Sequence, residues 1–117
     1  MIALLIPADD ALPCRLIEVA AEWQPLAEAI GAEWVEHVRS WAGHQLALIV
    51  DEEGLLTERP SNARATGVLY PGLLTGDVLV CRDEHGPNGV DVVSLTPKLI
   101  DGLRALGFVF EDLAVTS

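Results

Sequence analysis

The residues of this chain whose chemistry could combine lie mostly between positions 51 and 66. Asp51, Glu52 and Glu53 place three carboxylates in a row, directly after the apolar run Leu46-Ala47-Leu48-Ile49-Val50. Carboxylates at a strand end can hold a divalent cation, which takes several oxygen ligands. No Asp/Asn-rich loop of calcium-binding spacing accompanies them, so the simpler reading is a solvated turn closed by Gly54. As exposed carboxylates, Asp51, Glu52 and Glu53 are then candidate contacts for a protein partner.

Asn62, Arg64 and Thr66 form a second group. Read at the N-terminus of a helix, they combine free backbone N–H groups, the positive end of the helix dipole and a guanidinium. Such a site would take a small anionic ligand, with Arg64 bidentate to phosphate or carboxylate and Trp34 as a stacking wall. The competing reading is structural: Asn62 closes a loop and Arg64 pairs with the acidic turn.

Other chemistries lack their patterns. His37, His44 and His85 are scattered, with no HxH or HExxH spacing to suggest zinc. Ser40, Ser61 and Ser94 carry no GxSxG signature. There is no GxGxxG and no Walker sequence, and no catalytic residue, metal site or cofactor is assigned. Cys14 and Cys81 form no CxxC and read as reduced thiols, with Cys81 in the core. Trp23, Trp34 and Trp41 could build an aromatic pocket or contact surface, but core filling is their commoner use.

These residues need a scaffold, and the composition supplies one. Half of the 117 residues are apolar, enough for the core of one domain without metal or disulfide staples. The 18 acidic against 7 basic residues give a net charge of -11. That argues against a nucleic-acid backbone as partner, since it needs clustered Lys and Arg. An acidic surface suits solubility, a basic protein partner or imitation of nucleic acid. The N-terminal residues lack a basic n-region and a small-residue cleavage site, so they read as a strand rather than a signal peptide. With no apolar run near membrane-span length, a cytoplasmic location is expected.

Along the chain, residues 1–7, ended by Pro7, and residues 15–19, 33–38, 45–50, 77–81 and 90–95 read as six strands. The fourth is apolar on both faces and therefore internal to the sheet. Three short helices are expected. The first covers residues 22–31, with Pro25 in its first turn and Gly31 as a left-handed cap. The second runs from Asn62 to residue 69, ended by Pro71-Gly72. The third opens on Thr96-Pro97, with Leu99, Ile100, Leu103 and Leu106 on one face, and Gly107 ends it. Trp41-Ala42-Gly43-His44 reads as a turn, residues 85–89 as a hairpin loop around Asn88-Gly89, and residues 108–110 as a short edge strand. The expected fold class is α+β: a single domain spanning 1–117, with an antiparallel or mixed sheet of about six strands and three short helices packed on one face.

Several stretches together resemble a known family. Trp23-Gln24-Pro25-Leu26-Ala27-Glu28-Ala29-Ile30-Gly31-Ala32-Glu33-Trp34-Val35-Glu36 is similar to its helix, glycine turn and outgoing strand. Asp51-Glu52-Glu53-Gly54-Leu55-Leu56 and Pro60-Ser61-Asn62-Ala63-Arg64-Ala65-Thr66 resemble its acidic turn and asparagine-led helix. Gly76-Asp77-Val78-Leu79-Val80 and Ser94-Leu95-Thr96 resemble its closing hairpin and last helix cap. The family is the domain of unknown function numbered 3846, found in bacteriophages, actinobacterial plasmids and gut bacteria, and the resemblance covers about residues 2–107. This chain has Gly31-Ala32 where the family often has two glycines. The resemblance implies no activity, cofactor or catalytic residue; it implies a small accessory protein, often of a mobile element.

The leading functional expectation is therefore a non-enzymatic protein that binds a host defence or regulatory protein stoichiometrically through its acidic surface. A small-ligand or nucleotide binder using Asn62, Arg64, Thr66 and Trp34 is the second. A metal-dependent enzyme built on Asp51, Glu52 and Glu53 is the third. Oligomeric state is left open.

Overall fold

The computed structural model describes residues 1–42, 45–54, 56–86 and 89–113. Gly43, His44 and Asn88, which carried the expected turns, lie outside them. The elements in chain order are β1 (Ile2–Ile6), β2 (Arg15–Glu18), α1 (Trp23–Ile30), β3 (Val35–Arg39), β4 (Leu46–Asp51), β5 (Val78–Gly86), β6 (Gly89–Val93) and α2 (Pro97–Ala105).

All six strands join one sheet in the order β2-β1-β5-β4-β3, with β6 also on β5. Every pairing is antiparallel. Val80 of β5 pairs with Leu4 of β1 on one side and Leu48 of β4 on the other. Arg82 pairs with both Leu46 and Val93, so β6 continues along the edge that β1 occupies. Two bonds stitch that junction: Ile2 N donates to Ser94 Oγ at 2.8 Å, and Leu95 N to the Ile2 carbonyl at 2.9 Å.

β1, β4 and β5 are apolar at consecutive positions, and side chains of a strand alternate between faces. Each of these strands therefore buries both faces. Leu4, Ile6, Leu48, Val50, Val78 and Val80 belong to one cluster. Ala3, Leu5, Ala47, Ile49, Leu79 and Cys81 belong to the other. The two helices lie on opposite faces as a result, rather than on one face as expected. α1 lays Leu26 and Ile30 on the second cluster. α2 contributes Leu103 to the first, beside the turn-forming residues Ala65, Leu69 and Leu74. An eight-residue helix does not persist alone in water, and fully burying each such side chain stabilises by about 1.5–3 kcal/mol.

Both helix ends expected from local chemistry are present. Gly31 adopts φ 67°, and Ala32 N bonds back to the Ala27 carbonyl at 2.9 Å, closing a Schellman turn. One glycine suffices there, because Ala32 does not enter the left-handed region. Thr96 Oγ1 accepts from Leu99 N, with Pro97 in the first turn of α2.

The second expected helix does not form: residues 62–69 make a series of turns. Thr66 N bonds to the Asn62 carbonyl and Leu69 N to the Ala65 carbonyl, each a single helix-like turn. Between them Gly67 takes φ 81°, which breaks helix propagation. Residues 108–110 form no strand; Phe108 and Phe110 pack instead against the core. β5 runs through His85 and Gly86, two residues expected in the hairpin loop.

Two glycines in opposite settings give a stability test. A Cβ on Gly76, at φ 74°, would meet Arg59 Cδ at 2.9 Å, whereas Gly102 in α2 has nothing within 4 Å of its Cβ position. Gly76→Ala is expected to lower unfolding free energy by about 1–3 kcal/mol. Gly102→Ala is expected to raise it by about 0.5–1 kcal/mol. Urea denaturation of the two variants checks both signs.

Candidate functional site

Asn62 is fully buried, and its side chain is completely engaged. Nδ2 donates to the carbonyls of Ile6 (2.8 Å) and Gly76 (3.0 Å), and Oδ1 accepts from Ala65 N. It ties the end of β1 to the loop before β5 and closes its own turn. Thr66 Oγ1 accepts from Leu74 N at 3.0 Å across the same loop. With no helix over residues 62–69, the helix-terminal anion site expected at Asn62, Arg64 and Thr66 does not exist. Two of those three side chains hold the loop together.

Arg64 is placed differently from either expectation. Its Nη2 donates to the carbonyls of Pro7 (2.7 Å) and Asp9 (3.0 Å). Its Nε lies 3.9 Å from Asp10 Oδ1 and makes no hydrogen bond. The acidic turn pairs instead with Arg59, a residue that the sequence reading did not single out. Arg59 Nε meets Asp51 Oδ2 at 2.5 Å. Its guanidinium also donates to the carbonyls of Ile30 and Gly31 at the C-terminus of α1, where cations are favoured. Asp51 Oδ1 accepts from Glu53 N at 2.8 Å. The Asp51 side chain is therefore a buried internal partner, while Glu52 is exposed and Glu53 half-buried. Among the described residues, no group of three or more His, Cys, Asp or Glu side chains converges as metal ligands would. Arg59 left little sequence signal: only its position just after an acidic turn, in a chain poor in cations, pointed to it.

The three tryptophans do not fill the core. Trp23 is 56% exposed, Trp34 51% and Trp41 61%. Trp41 Nε1 donates to the Val68 carbonyl, fastening the end of β3 to the turn-rich loop. Trp23 and Trp34 stack on each other with ring centroids 5.5 Å apart and planes inclined by 14°. The Gly31 turn sends the chain back along α1, and this brings Trp34 to Trp23. The Trp34 carbonyl accepts from Glu52 N at 3.1 Å, which ties the backbone of Trp34 to the end of β4.

Arg64 lines a cleft of about 520 Å³ with Leu12, Val68, Leu106, Phe108 and Val109; Trp34 is not part of it. Cys14 is buried in its wall. Burial pushes the Cys14 thiol pKa up, against a smaller lowering by the charge of Arg64. Cys81, on the opposite face, is pushed up to about 12 by burial and by Asp83. The two cysteines are free thiols in separate core clusters.

The family model described as "Domain of unknown function (DUF3846)" matches residues 1–106. This chain belongs to that family. Among solved structures, the crystal structure of small RNA methyltransferase HEN1 resembles this DUF3846 domain with a TM-score of 0.67 at 17% identity. The match covers 89% of this chain and 16% of that chain, so the domain corresponds to a small part of the methyltransferase chain, and the likeness is one of fold alone. Comparison with curated proteins gives no match.

Two measurements test these placements. Arg59→Ala strands the Asp51 carboxylate and is expected to cost about 2–4 kcal/mol in chemical denaturation. Asp51→Asn in the Arg59→Ala background should then cost much less than it does alone. The raised thiols give a pH dependence. Cys81 is neutral in the folded protein up to about 12, whereas an unfolded thiol ionises near pH 8.5. The folded state thus holds the extra proton between those values, and stability should fall as pH rises through that window. Cys81→Ala should flatten the alkaline limb of the stability profile.

Proposed function

We propose that this DUF3846 domain is a non-catalytic binding protein that engages a basic protein surface, with the stacked Trp23–Trp34 pair at the centre of contact. The observation that carries the reading is the pair itself. Two indole rings are held in mutual contact yet half-exposed, and large aromatic side chains are the groups most enriched at interface centres. Each is preceded by an exposed glutamate, Glu22 and Glu33, and Glu52 is bonded to the Trp34 backbone.

An exposed indole pair with glutamates next to it in the chain favours an Arg or Lys side chain, through cation–π attraction and charge-assisted hydrogen bonds. The net charge of -11 would speed encounter with a cationic partner and repel nucleic-acid backbones. Of the acidic turn, Glu52 and Glu53 remain available to such a partner, whereas Asp51 is committed to Arg59. In the setting that the family suggests, a phage or mobile element, the partner would be a host protein, and the action would be stoichiometric.

Capture from host lysate by tagged protein tests the reading. Wild type is expected to retain a basic protein at low salt and to release most of it as salt rises, because rim charges are screened. Trp34→Ala should lose it while keeping the same far-UV spectrum and melting temperature within a few degrees. Capture of no protein at any salt, or equal capture by Trp34→Ala, would sink the proposal.

A further inference from the structure

Four of the exposed large apolar side chains, Leu12, Val68, Leu106 and Val109, rim the cleft that Arg64 lines. Its volume of about 520 Å³ lies within the range of small-molecule sites, about 300–1,000 Å³. A second cleft of about 590 Å³ adjoins it through Pro13, Cys14 and Val109, which leaves room for a chain-like ligand. The lining is apolar except for Arg64 and Asp10.

Arg64 is the fixed charge of the two. Two carbonyls of the 7–9 loop hold its Nη2, while its Nε has no hydrogen-bond partner. Asp10 stands 3.9 Å from that Nε with its side chain 70% exposed, and an ion pair so open to water holds little energy. A guanidinium immobilised at an apolar cleft, with only a loose counter-ion, is matched by an anion attached to an apolar body. With Nη2 taken by the two carbonyls, one charge-assisted contact to the rest of the guanidinium matches the single charge of a carboxylate better than a phosphate dianion, which would need further donors.

We infer that this cleft binds a small amphipathic carboxylate, with its apolar body between Val68, Leu106 and Phe108 and its carboxylate on the Arg64 guanidinium in place of Asp10. The site is separate from the tryptophan pair and does not rest on it.

The probe is octanoate, titrated into the uniformly ¹⁵N-labelled full chain, with octanol as its neutral counterpart. Octanoate is expected to give saturable shifts confined to residues 10–14, 64–68 and 106–109, with octanol binding about tenfold more weakly. Arg64 also holds the 7–9 loop, so the variants are taken at surface positions. Val68→Trp fills the cleft and should abolish binding without unfolding the protein. Asp10→Asn removes the competing carboxylate and should tighten octanoate about two- to fivefold. Equal affinity for octanol and octanoate, undiminished binding by Val68→Trp, or no tightening by Asp10→Asn would overturn the assignment.

Discussion

Burial of β1, β4 and β5 on both faces is the constraint from which the rest of the molecule follows. Consecutive apolar residues on three neighbouring strands leave no face that water can solvate cheaply, so each must be covered. α1 suffices for one side. The other is broader than α2 can cover, and the turn-rich segment between β4 and β5 completes it with Ala65, Leu69 and Leu74. A cover made of turns brings backbone N–H and carbonyl groups into the interior, and these must be paired. That requirement accounts for the buried side chain of Asn62 and the half-buried one of Thr66, which bond to main-chain groups of this segment and of the end of β1.

The same segment has to be fastened at its start, and Arg59 does this. It neutralises Asp51 at the end of β4 and donates to the carbonyls that close α1. One side chain thus joins the two faces of the sheet at one end. The other arginines show a similar pattern. Arg39 faces Asp83 at 3.3 Å, Arg82 donates to the Ser94 carbonyl, and Arg104 meets Asp112 and lies over Phe110. Most of the scarce cations are thus engaged within the molecule, some at its surface, and the 18 acidic residues outnumber the 7 basic ones whatever the pairing. Glu22 and Glu33, exposed and each next to a tryptophan of the stacked pair, are part of that surplus.

Much of the fold was legible because its signals are local. A glycine able to take a left-handed cap, a threonine–proline pair opening a helix and alternating apolar runs each act through bonds within a few residues. β1, α1, β4 and α2 were therefore readable to within a residue or two. Residues 62–69 misled for the same reason: an asparagine followed by Ala-Arg-Ala has the local chemistry of a helix start. The decisive facts were distant, since the Asn62 amide finds its partners at Ile6 and Gly76. The tryptophans were misread because hydrophobicity speaks for burial, while exposure depends on whether the core has room. Here Leu, Ile and Val already fill it.

By itself the sequence determined the strand-rich α+β class, the caps of both helices, the family and the acidic balance, all set by residue type and near-neighbour geometry. Only the tertiary structure decided that the helices take opposite faces, that Arg59 rather than Arg64 answers Asp51, that two tryptophans stack in the open, and that Arg64 borders an apolar cleft. Each of these depends on which segments the sheet brings together across tens of residues. That is fixed by the packing of two buried faces, a property of the whole chain that no local spacing records.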